Sequence, residues 1–194
     1  MPSAKRADDV GEFTYRDYQR WPARPRYELL DGRARLMAPP TTSHQRVVFE
    51  LGAQIRNALE GHSCQAFAGP VGVRLPIDDE SDEYIKTALE PDLVIVCDPA
   101  KIDAKGIRGA PDVVIEVLSP STAAYDSIDK RAAYERAGVR ELWLIDVASG
   151  LVHRYLKVDK GFRPPELLRA EGHIELCLGF ALSLDFMVAL RERD

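Results

Sequence analysis

Two carboxylates and one amine in the middle of the sequence are of the types that carry out metal-assisted hydrolysis. Asp92 follows Pro91 at the start of an apolar run, Glu116 lies inside the next apolar run, and Lys130 follows in a mixed segment. A carboxylate set into an apolar strand is costly to bury unless a cation compensates its charge. Two hard oxygen ligands suit Mg²⁺ or Mn²⁺, which keep their other positions for water and phosphate. These residues therefore predict a divalent-cation site that acts on a phosphate ester.

Three short apolar runs must position these side chains. The runs are rich in β-branched residues, are bounded by Pro and Gly, and span residues 93–97, 113–118 and 142–147. Runs of this kind are typical of central strands that are covered on both faces. If the first two strands pair, Asp92 and Glu116 can face one small cleft.

A backbone carbonyl and a helix complete the predicted site. The carbonyl oxygen of Val117 is the third expected metal ligand. The segment after the second strand predicts a helix that Asp126 caps and Gly138 ends. Lys130 then lies about one turn into this helix, where its ammonium can orient an attacking water or stabilise charge on the phosphate.

The order of these residues, Pro91-Asp92, then Glu116-Val117-Leu118, then Lys130, resembles the PD-(D/E)XK nuclease superfamily. Leu118 stands where that motif has its lysine, and Lys130 would take over the role, a migration that the superfamily shows. More closely, the chain is similar to the Uma-type family of putative restriction endonucleases, a branch of the superfamily. The similarity covers roughly residues 14–186 and includes the segments YELLDGRARLMAPP, SHQRVVFELGAQI, EPDLVIVCDP, GAPDVVIEVLSPST and AGVRELWLIDV.

The resemblance implies a fold, an activity and partners. The implied fold is α/β, a restriction-endonuclease-like single domain with a mixed β-sheet flanked by helices. The implied activity is that of a Mg²⁺- or Mn²⁺-dependent DNA endonuclease, with Asp92 and Glu116 holding the metal and Lys130 assisting catalysis. Cutting both strands of DNA needs two active centres, so we also expect a homodimer.

His44 is a candidate catalytic residue because of the resemblance. It lies in the first turn of a predicted helix, where a lone histidine is more often a hydrogen-bonded structural residue. The family tends to carry a histidine at this position. The resemblance therefore implies that His44 borders the cleft as a catalytic residue, and the structural role stays open as the alternative.

The charge of the chain keeps two other functions open. A net charge of −5 is awkward for a nucleic-acid binder, which usually presents a basic face. Together with the absence of a lysine at Leu118, it favours a catalytically inactive binding or regulatory module. A third candidate, a small-phosphoester hydrolase, requires a cleft too narrow for a duplex. One region is locally basic and is either a solvated surface or a phosphate-contacting edge: Arg16, Arg20, Arg24, Arg26, Arg33 and Arg35.

Length and composition set the broad class. A chain of 194 residues predicts one domain, residues 13–194, after a flexible tail of residues 1–12. The first residues lack an apolar signal-peptide core and no run reaches membrane-spanning length, so we expect a cytoplasmic protein without membrane contact. The chain has three cysteines, an odd number, and they lie far apart in the sequence: Cys64, Cys97 and Cys177. Their spacing favours reduced, mostly buried thiols over a disulfide.

Three further acids are weaker candidates for the cleft. Glu28 lies in a predicted hairpin, where a solvated strand residue is favoured over a third acid at the metal. Glu50 lies on the predicted helix that follows His44. Asp112 repeats the Pro-Asp pattern, but it precedes Glu116 in the same strand, so Asp92 is preferred.

Local signals predict the remaining elements. The helix after Pro39-Pro40 is expected to be capped by Thr42 or Ser43. The acidic run at residues 78–83 is expected to be a solvated loop, and residues 101–111 a polar, flexible linker. Ser183 is expected to cap a short final helix.

Overall fold

A computed structural model describes residues 11–118, 126–171, 173–178 and 181–185. The helices within these ranges are α1 Tyr15–Tyr18, α2 Thr42–Ala58 and α3 Arg131–Ala137, with a π-helical turn at Asp126–Lys130 directly before α3. Two short 3₁₀ helices span Asp82–Tyr84 and Pro99–Lys101. None of the helices in the described ranges is both long and apolar enough to cross a membrane.

The strands number fifteen among the described residues. They are β1 Tyr27–Leu30, β2 Arg33–Leu36, β3 Gln65–Ala68, β4 Val73–Arg74, β5 Ala88–Leu89, β6 Leu93–Val96, β7 Ile102–Asp103, β8 Gly106–Arg108, β9 Val113–Leu118, β10 Glu141–Asp146, β11 Leu151–Val158, β12 Gly161–Phe162, β13 Glu166–Arg169, β14 His173–Cys177 and β15 Ala181–Asp185.

The largest sheet is mixed and has the order β12-β11-β10-β9-β6-β3, with β13 also paired to β11. Strands β9 and β10 run parallel, whereas β6 is antiparallel to both of its neighbours, β9 and β3. The three apolar runs of the sequence form β6, β9 and β10 side by side, each almost completely buried. The mixed sheet that the sequence predicts is therefore present, and β6 and β9 pair as the predicted site requires.

Successive residues of these strands bury opposite faces of the mixed sheet. Leu93 and Ile115 belong to a core shared with α2, which contributes its apolar stripe from Val47 to Ile55. Val94 and Val114 belong to a second core, shared with α3 and with strands of another sheet. This alternation follows from the two-residue repeat of a strand, and it explains why no polar alternation is visible in the sequence.

The second sheet packs on the α3 side and has the order β2-β1-β5-β4-β8-β7. The predicted hairpin forms its first two strands, with Asp31 and Gly32 at the turn in left-handed conformations, φ 48° and 74°. Helix α1 covers the far side of β1, where Phe13 and Tyr15 pack with Leu29. The site described below lies where β1 of this sheet approaches the ends of β6 and β9.

The acidic run and the polar linker are more ordered than the sequence indicates. Residues 102–108 form the β7–β8 hairpin, which is held in the second sheet by parallel pairing of β8 with β4. Asp82 lies in a 3₁₀ helix, and with Asp103 it pairs with Arg74, a side chain with no exposed surface. The expectations of a solvated loop and a flexible linker are wrong at these positions, because a buried guanidinium requires carboxylate partners.

The pKa values of both partners reflect this network. The hydrogen bond from the Arg74 side chain holds the pKa of Asp103 below its ordinary value, against the effect of burial. Burial raises the pKa of Asp82, but hydrogen bonds from Arg108 and Lys105 and the charge of Arg74 outweigh it, and the pKa is lowered.

The expectation of reduced thiols is wrong for two of the three cysteines, because Cys64 and Cys97 form a disulfide. Strands β3 and β6 are antiparallel with Gln65 opposite Val96, so the next residues outward, Cys64 and Cys97, also face each other. The pairing depends on strand register, which a separation of 33 residues in the sequence does not reveal. The side chain of Cys177, in β14, lies outside the described part of the chain.

The expected final helix is also wrong at its start. Ser183 lies in β15, opposite Glu175 of β14, and the strand continues to Asp185. Pairing with β14 outweighs the local capping signal of the serine. The rest of the expected helix, residues 186–193, lies outside the described residues.

Candidate active site

Strand pairing brings Asp92 and Glu116 to one side of the mixed sheet. Leu93 is directly opposite Ile115 in the β6–β9 pair, so Asp92, one residue before β6, comes beside Glu116. Residues opposite each other in antiparallel strands direct their side chains to the same face. The Oδ2 atom of Asp92 accepts a hydrogen bond from the backbone N–H of Val117 at 2.8 Å, which fixes the carboxylate at the end of the strand.

Lys130 lies between two buried carboxylates. Its Nζ atom is 3.2 Å from Oε1 of Glu116 and 3.0 Å from Oε1 of Glu28. The exposed fractions of the three residues are 4% for Lys130, 3% for Glu116 and 2% for Glu28. An ammonium at these distances offsets part of the cost of burying two acids. The π-helical turn, which begins at Asp126, is the element that places Lys130 there.

Glu28 is the residue that sequence reasoning placed wrongly. The favoured interpretation was a solvated strand residue, whereas the side chain is buried and also accepts a hydrogen bond from the backbone N–H of Glu90 at 2.7 Å. The signal was present in the sequence. Glu28 precedes Leu29 and Leu30 in an apolar strand, which is the same feature that singled out Glu116.

Tyr134 is a second side chain on the Glu116 carboxylate. It lies in α3, one turn after Lys130, is completely buried, and donates its hydroxyl to Oε1 of Glu116 at 2.7 Å. Two donors from one helical segment therefore converge on a single oxygen. Such a carboxylate is held in one orientation. Gly138 ends α3 as predicted, in a left-handed conformation with φ 89°.

His44 borders the site, as the resemblance implied. Its Nε2 atom is 3.1 Å from Oδ2 of Asp92. The histidine lies in the first turn of α2, where its backbone N–H donates to the side chain of Thr41 at 3.2 Å. The cap is thus Thr41 and not Thr42 or Ser43, which lie inside the helix. The cap fixes the start of α2 and, through it, the position of the imidazole.

These side chains open into a cleft of about 330 Å³. One wall is apolar and is formed by residues 36–40. The charged lining residues are four carboxylates and two cations: Glu28, Glu90, Asp92, Glu116, Arg26 and Lys130. The carboxylates outnumber the cations, so the cleft carries an excess of negative charge.

Two weaker candidates do not line this cleft. Glu50 is a half-buried residue of α2 outside the cleft. Asp112 accepts the backbone N–H of Cys97 at 2.8 Å and pairs with Arg140, so it braces β6 against β9. The preference for Asp92 over Asp112 agrees with this placement.

The donor set fits a cation that takes few protein ligands. Within the described ranges, no three His, Cys, Asp or Glu side chains are arranged as a ready-made metal site. Mg²⁺ is usually held by one or two carboxylates together with water and substrate phosphate, and does not need a cage of protein ligands. Asp92 and Glu116 supply two such carboxylates in a cleft with excess negative charge.

Comparison with known proteins matches the chain to a family, a relative and a solved structure. The model of the Uma2 family, described as a putative restriction endonuclease, matches residues 15–189. An uncharacterized protein of Synechocystis sp. is 28% identical over 148 residues, which cover 75% of this chain and 74% of that protein. A crystal structure from Anabaena variabilis, described as a putative nuclease belonging to DUF820, has a TM-score of 0.71 and 19% identity, and the match covers 92% of this chain and 97% of that one. The structural match confirms the α/β fold that the resemblance implied.

Proposed function

The chain belongs to the Uma2 family of putative restriction endonucleases, and on this basis we propose that it is a metal-dependent endonuclease that hydrolyses phosphodiester bonds in DNA. One observation carries the proposal. Asp92 and Glu116, from paired strands, line one cleft with Lys130, whose ammonium is 3.2 Å from Glu116. Two acids that can hold a divalent cation and an amine that can neutralise phosphate charge suit hydrolysis of a phosphodiester.

The carboxylates of Asp92 and Glu116 would hold Mg²⁺ or Mn²⁺, with the carbonyl of Val117 as a further ligand. A bound divalent cation supplies positive charge beside the phosphate and makes water a stronger acid. The hydrogen bonds from Val117 and His44 keep the Asp92 carboxylate in place before any substrate arrives. Preorganised groups of this kind need no rearrangement during the reaction.

The role of Lys130 is to stabilise charge on the scissile phosphate. Its ammonium shares two carboxylates in the resting cleft, and it can turn from Glu116 toward a phosphate oxygen while Glu28 still holds it. There it stabilises the negative charge that develops as water attacks. His44 acts through Asp92, by fixing the orientation of that carboxylate.

One feature favours a second candidate, a hydrolase of small phosphoesters. The cleft is about 330 Å³ and is lined by more carboxylates than cations, whereas a duplex-binding surface is usually basic. The inactive-module alternative rests on Leu118, which occupies the position of the usual lysine.

Cleavage assays with purified protein test the proposal. Supercoiled plasmid and circular single-stranded DNA are incubated with Mg²⁺, Mn²⁺ or EDTA, with para-nitrophenyl thymidine monophosphate as a small-ester control. We expect DNA cleavage that needs the metal and that falls at least 100-fold in Asp92→Asn and Glu116→Gln, because each removes a metal-holding charge. Glu50→Gln, a neutralised acid outside the cleft, is the matched control and should retain activity.

The outcomes separate the three functions. Turnover of the small ester alone would favour the phosphoester hydrolase. Absence of all turnover, together with no heat on titration with Mg²⁺ or Mn²⁺, would favour the inactive module. The homodimer stays a prediction, and a monomeric mass by light scattering in the presence and absence of DNA would contradict it.

A further inference from the structure

The segment from residue 18 to residue 27 contains three aromatic rings and three arginines. Its rings are Tyr18, Trp21 and Tyr27, and its arginines are Arg20, Arg24 and Arg26. Arg20 and Arg24 are exposed and take part in none of the ion pairs found among the described residues. Positive charge interleaved with aromatic rings is the pattern of surfaces that bind single-stranded nucleic acid, where bases stack on rings and cations contact phosphates.

The three rings line a cavity of about 220 Å³. Trp21 packs edge-on against its neighbours, with centroid distances of 5.4 Å to Tyr18 and 5.7 Å to Tyr27. All three rings are only partly buried, so each contributes surface to the cavity. The rings hold one another in place, and a flat ligand would meet a preformed aromatic wall.

This aromatic cavity adjoins the catalytic cleft. Arg26 and Glu90 line both spaces and form an ion pair with each other. The hydroxyl of Tyr18 donates to Glu90 at 2.9 Å, and the backbone N–H of Glu90 donates to Glu28, the partner of Lys130. A chain of direct contacts therefore runs from the aromatic rings to the proposed catalytic residues.

We propose that the aromatic cavity is a subsite for an unpaired nucleobase of the strand being cut, so that the substrate is DNA with a single-stranded segment. This inference rests on the endonuclease function proposed above. The faces of a base in a duplex are covered by its neighbours in the stack, so only an unpaired base can enter a cavity lined by aromatic rings. The exposed Arg20 and Arg24 then contact phosphates that flank this base, which accounts for a basic segment on an acidic protein.

Tryptophan fluorescence measures the proposed contact without any cleavage. The chain has two tryptophans, and Trp143 has no exposed surface, so quenching by a ligand reports on Trp21. Binding is followed in EDTA with a short oligothymidylate and with a blunt hairpin duplex of equal charge. We expect the single strand to quench the emission and the duplex to leave it unchanged.

Substitutions separate stacking from a structural role. Trp21→Leu keeps an apolar side chain and should weaken oligothymidylate binding about tenfold by anisotropy, whereas Trp21→Phe should weaken it less. Phe49→Ala, which removes a 74% exposed ring of α2 that lines neither space, is the matched control and should bind as the native protein does. If Trp21→Leu does not fold by circular dichroism, Arg24→Ala replaces it, with an expected loss of affinity and a shallower salt dependence.

Three results would overturn the subsite. The first is equal affinity of the native and Trp21→Leu proteins for the single strand. The second is an equal loss of affinity for the single strand and for the duplex in Trp21→Leu. The third is quenching of the tryptophan emission by choline with no response to the oligonucleotide. The last result would identify a cage for organic cations. Failure of the endonuclease proposal is distinguishable, because it would appear as absence of metal-dependent DNA cleavage by the native protein while oligonucleotide binding persists.

Discussion

The Glu116 carboxylate receives two donors on one oxygen, and this arrangement makes Tyr134 a positioning residue. Removing its hydroxyl in Tyr134→Phe leaves the ring in place and deprives a buried carboxylate of one hydrogen bond. We expect a loss of about 1–2 kcal/mol in the free energy of unfolding by urea. We also expect a several-fold rise in the Mg²⁺ concentration for half-maximal cleavage, because Glu116 is then less firmly oriented.

The metal dependence is the decisive measurement for Tyr134, since a purely structural tyrosine would lower stability alone. Tyr155→Phe is the control. That ring packs beside Phe162 on the same face of the mixed sheet, outside the cleft. A Tyr134→Phe protein with native Mg²⁺ dependence would contradict the positioning role.

Glu28 supplies negative charge to the cleft, and its removal tests the excess of carboxylates. Glu28→Gln keeps the shape of the side chain and an oxygen that can accept the N–H of Glu90. Of the two carboxylates beside Lys130, only that of Glu116 then remains, and the cleft attracts a cation less strongly. We expect the Mg²⁺ affinity, measured by calorimetry, to fall about tenfold, on the order of 1.4 kcal/mol. Unchanged Mg²⁺ affinity would show that Glu28 compensates the charge of Lys130 and does not contribute to cation binding.

At this scale, the sequence identifies acids that interrupt apolar strands but not the distances between them. Asp92, Glu116 and Lys130 could be named because they precede, interrupt and follow apolar runs, respectively. Glu28 also lies beside apolar strand residues, but its place at the cleft depends on the packing of the second sheet against the first, which the sequence does not show.

Among the elements, the residue that follows β3 contacts the backbone just before β6 and helps to set its position. The N–H of Gly69 donates to the carbonyl of Asp92 at 2.8 Å, and a Cβ atom at residue 69 would lie 2.9 Å from the carbonyl oxygen of Pro91. Gly69→Ala therefore pushes on the Pro91–Asp92 backbone. We expect a loss of about 1–3 kcal/mol in stability and at least tenfold in cleavage, because a carboxylate moved by a fraction of an ångström holds the metal less well.

The neighbouring Gly72→Ala is the matched control for this effect. A Cβ atom there would lie 3.5 Å from the carbonyl of Lys105, an ordinary contact. Urea titration and plasmid cleavage should both stay close to the native values. If Gly69→Ala cleaved as well as Gly72→Ala, the contact between β3 and β6 would have no role in setting Asp92.

Elements with strong local signals could be predicted, whereas those that depend on partners could not. The apolar run of β9 and the Asp31–Gly32 turn carry their information within a few residues. The strands of the β7–β8 hairpin are only two and three residues long, and β15 contains a serine that favours a helix cap. They form strands because β4 and β14 pair with them. Ser183 shows the same point, since its capping signal is real but the pairing is stronger.

For the whole molecule, the buried Arg74 links stability to pH. Its hydrogen bond lowers the pKa of Asp103 in the folded state, so the pair stabilises the protein above the unfolded value of about 3.9 and this stability is lost as the pH falls through the lower, folded value. We expect the urea midpoint of the native protein to fall steeply below about pH 4. In Arg74→Met the midpoint at pH 7 should be lower and the acid slope shallower.

Arg140→Met is the comparison for this pH dependence. It removes an ion pair of an exposed arginine with Asp112, and the acid slope should remain as in the native protein. Equal slopes for the Arg74 and Arg140 variants would contradict the linkage through Asp103. This network could not be predicted from the sequence. Arg74, Asp82 and Asp103 meet only when β4, β7 and the 3₁₀ helix that begins at Asp82 come together.

The groups of the cleft come from positions 28, 44, 92, 116 and 130, which belong to both large sheets and to two helical segments. All five can meet during synthesis only after residue 130 has left the ribosome. Nascent chains and proteolytic fragments that end before residue 130 consequently lack part of the proposed active site.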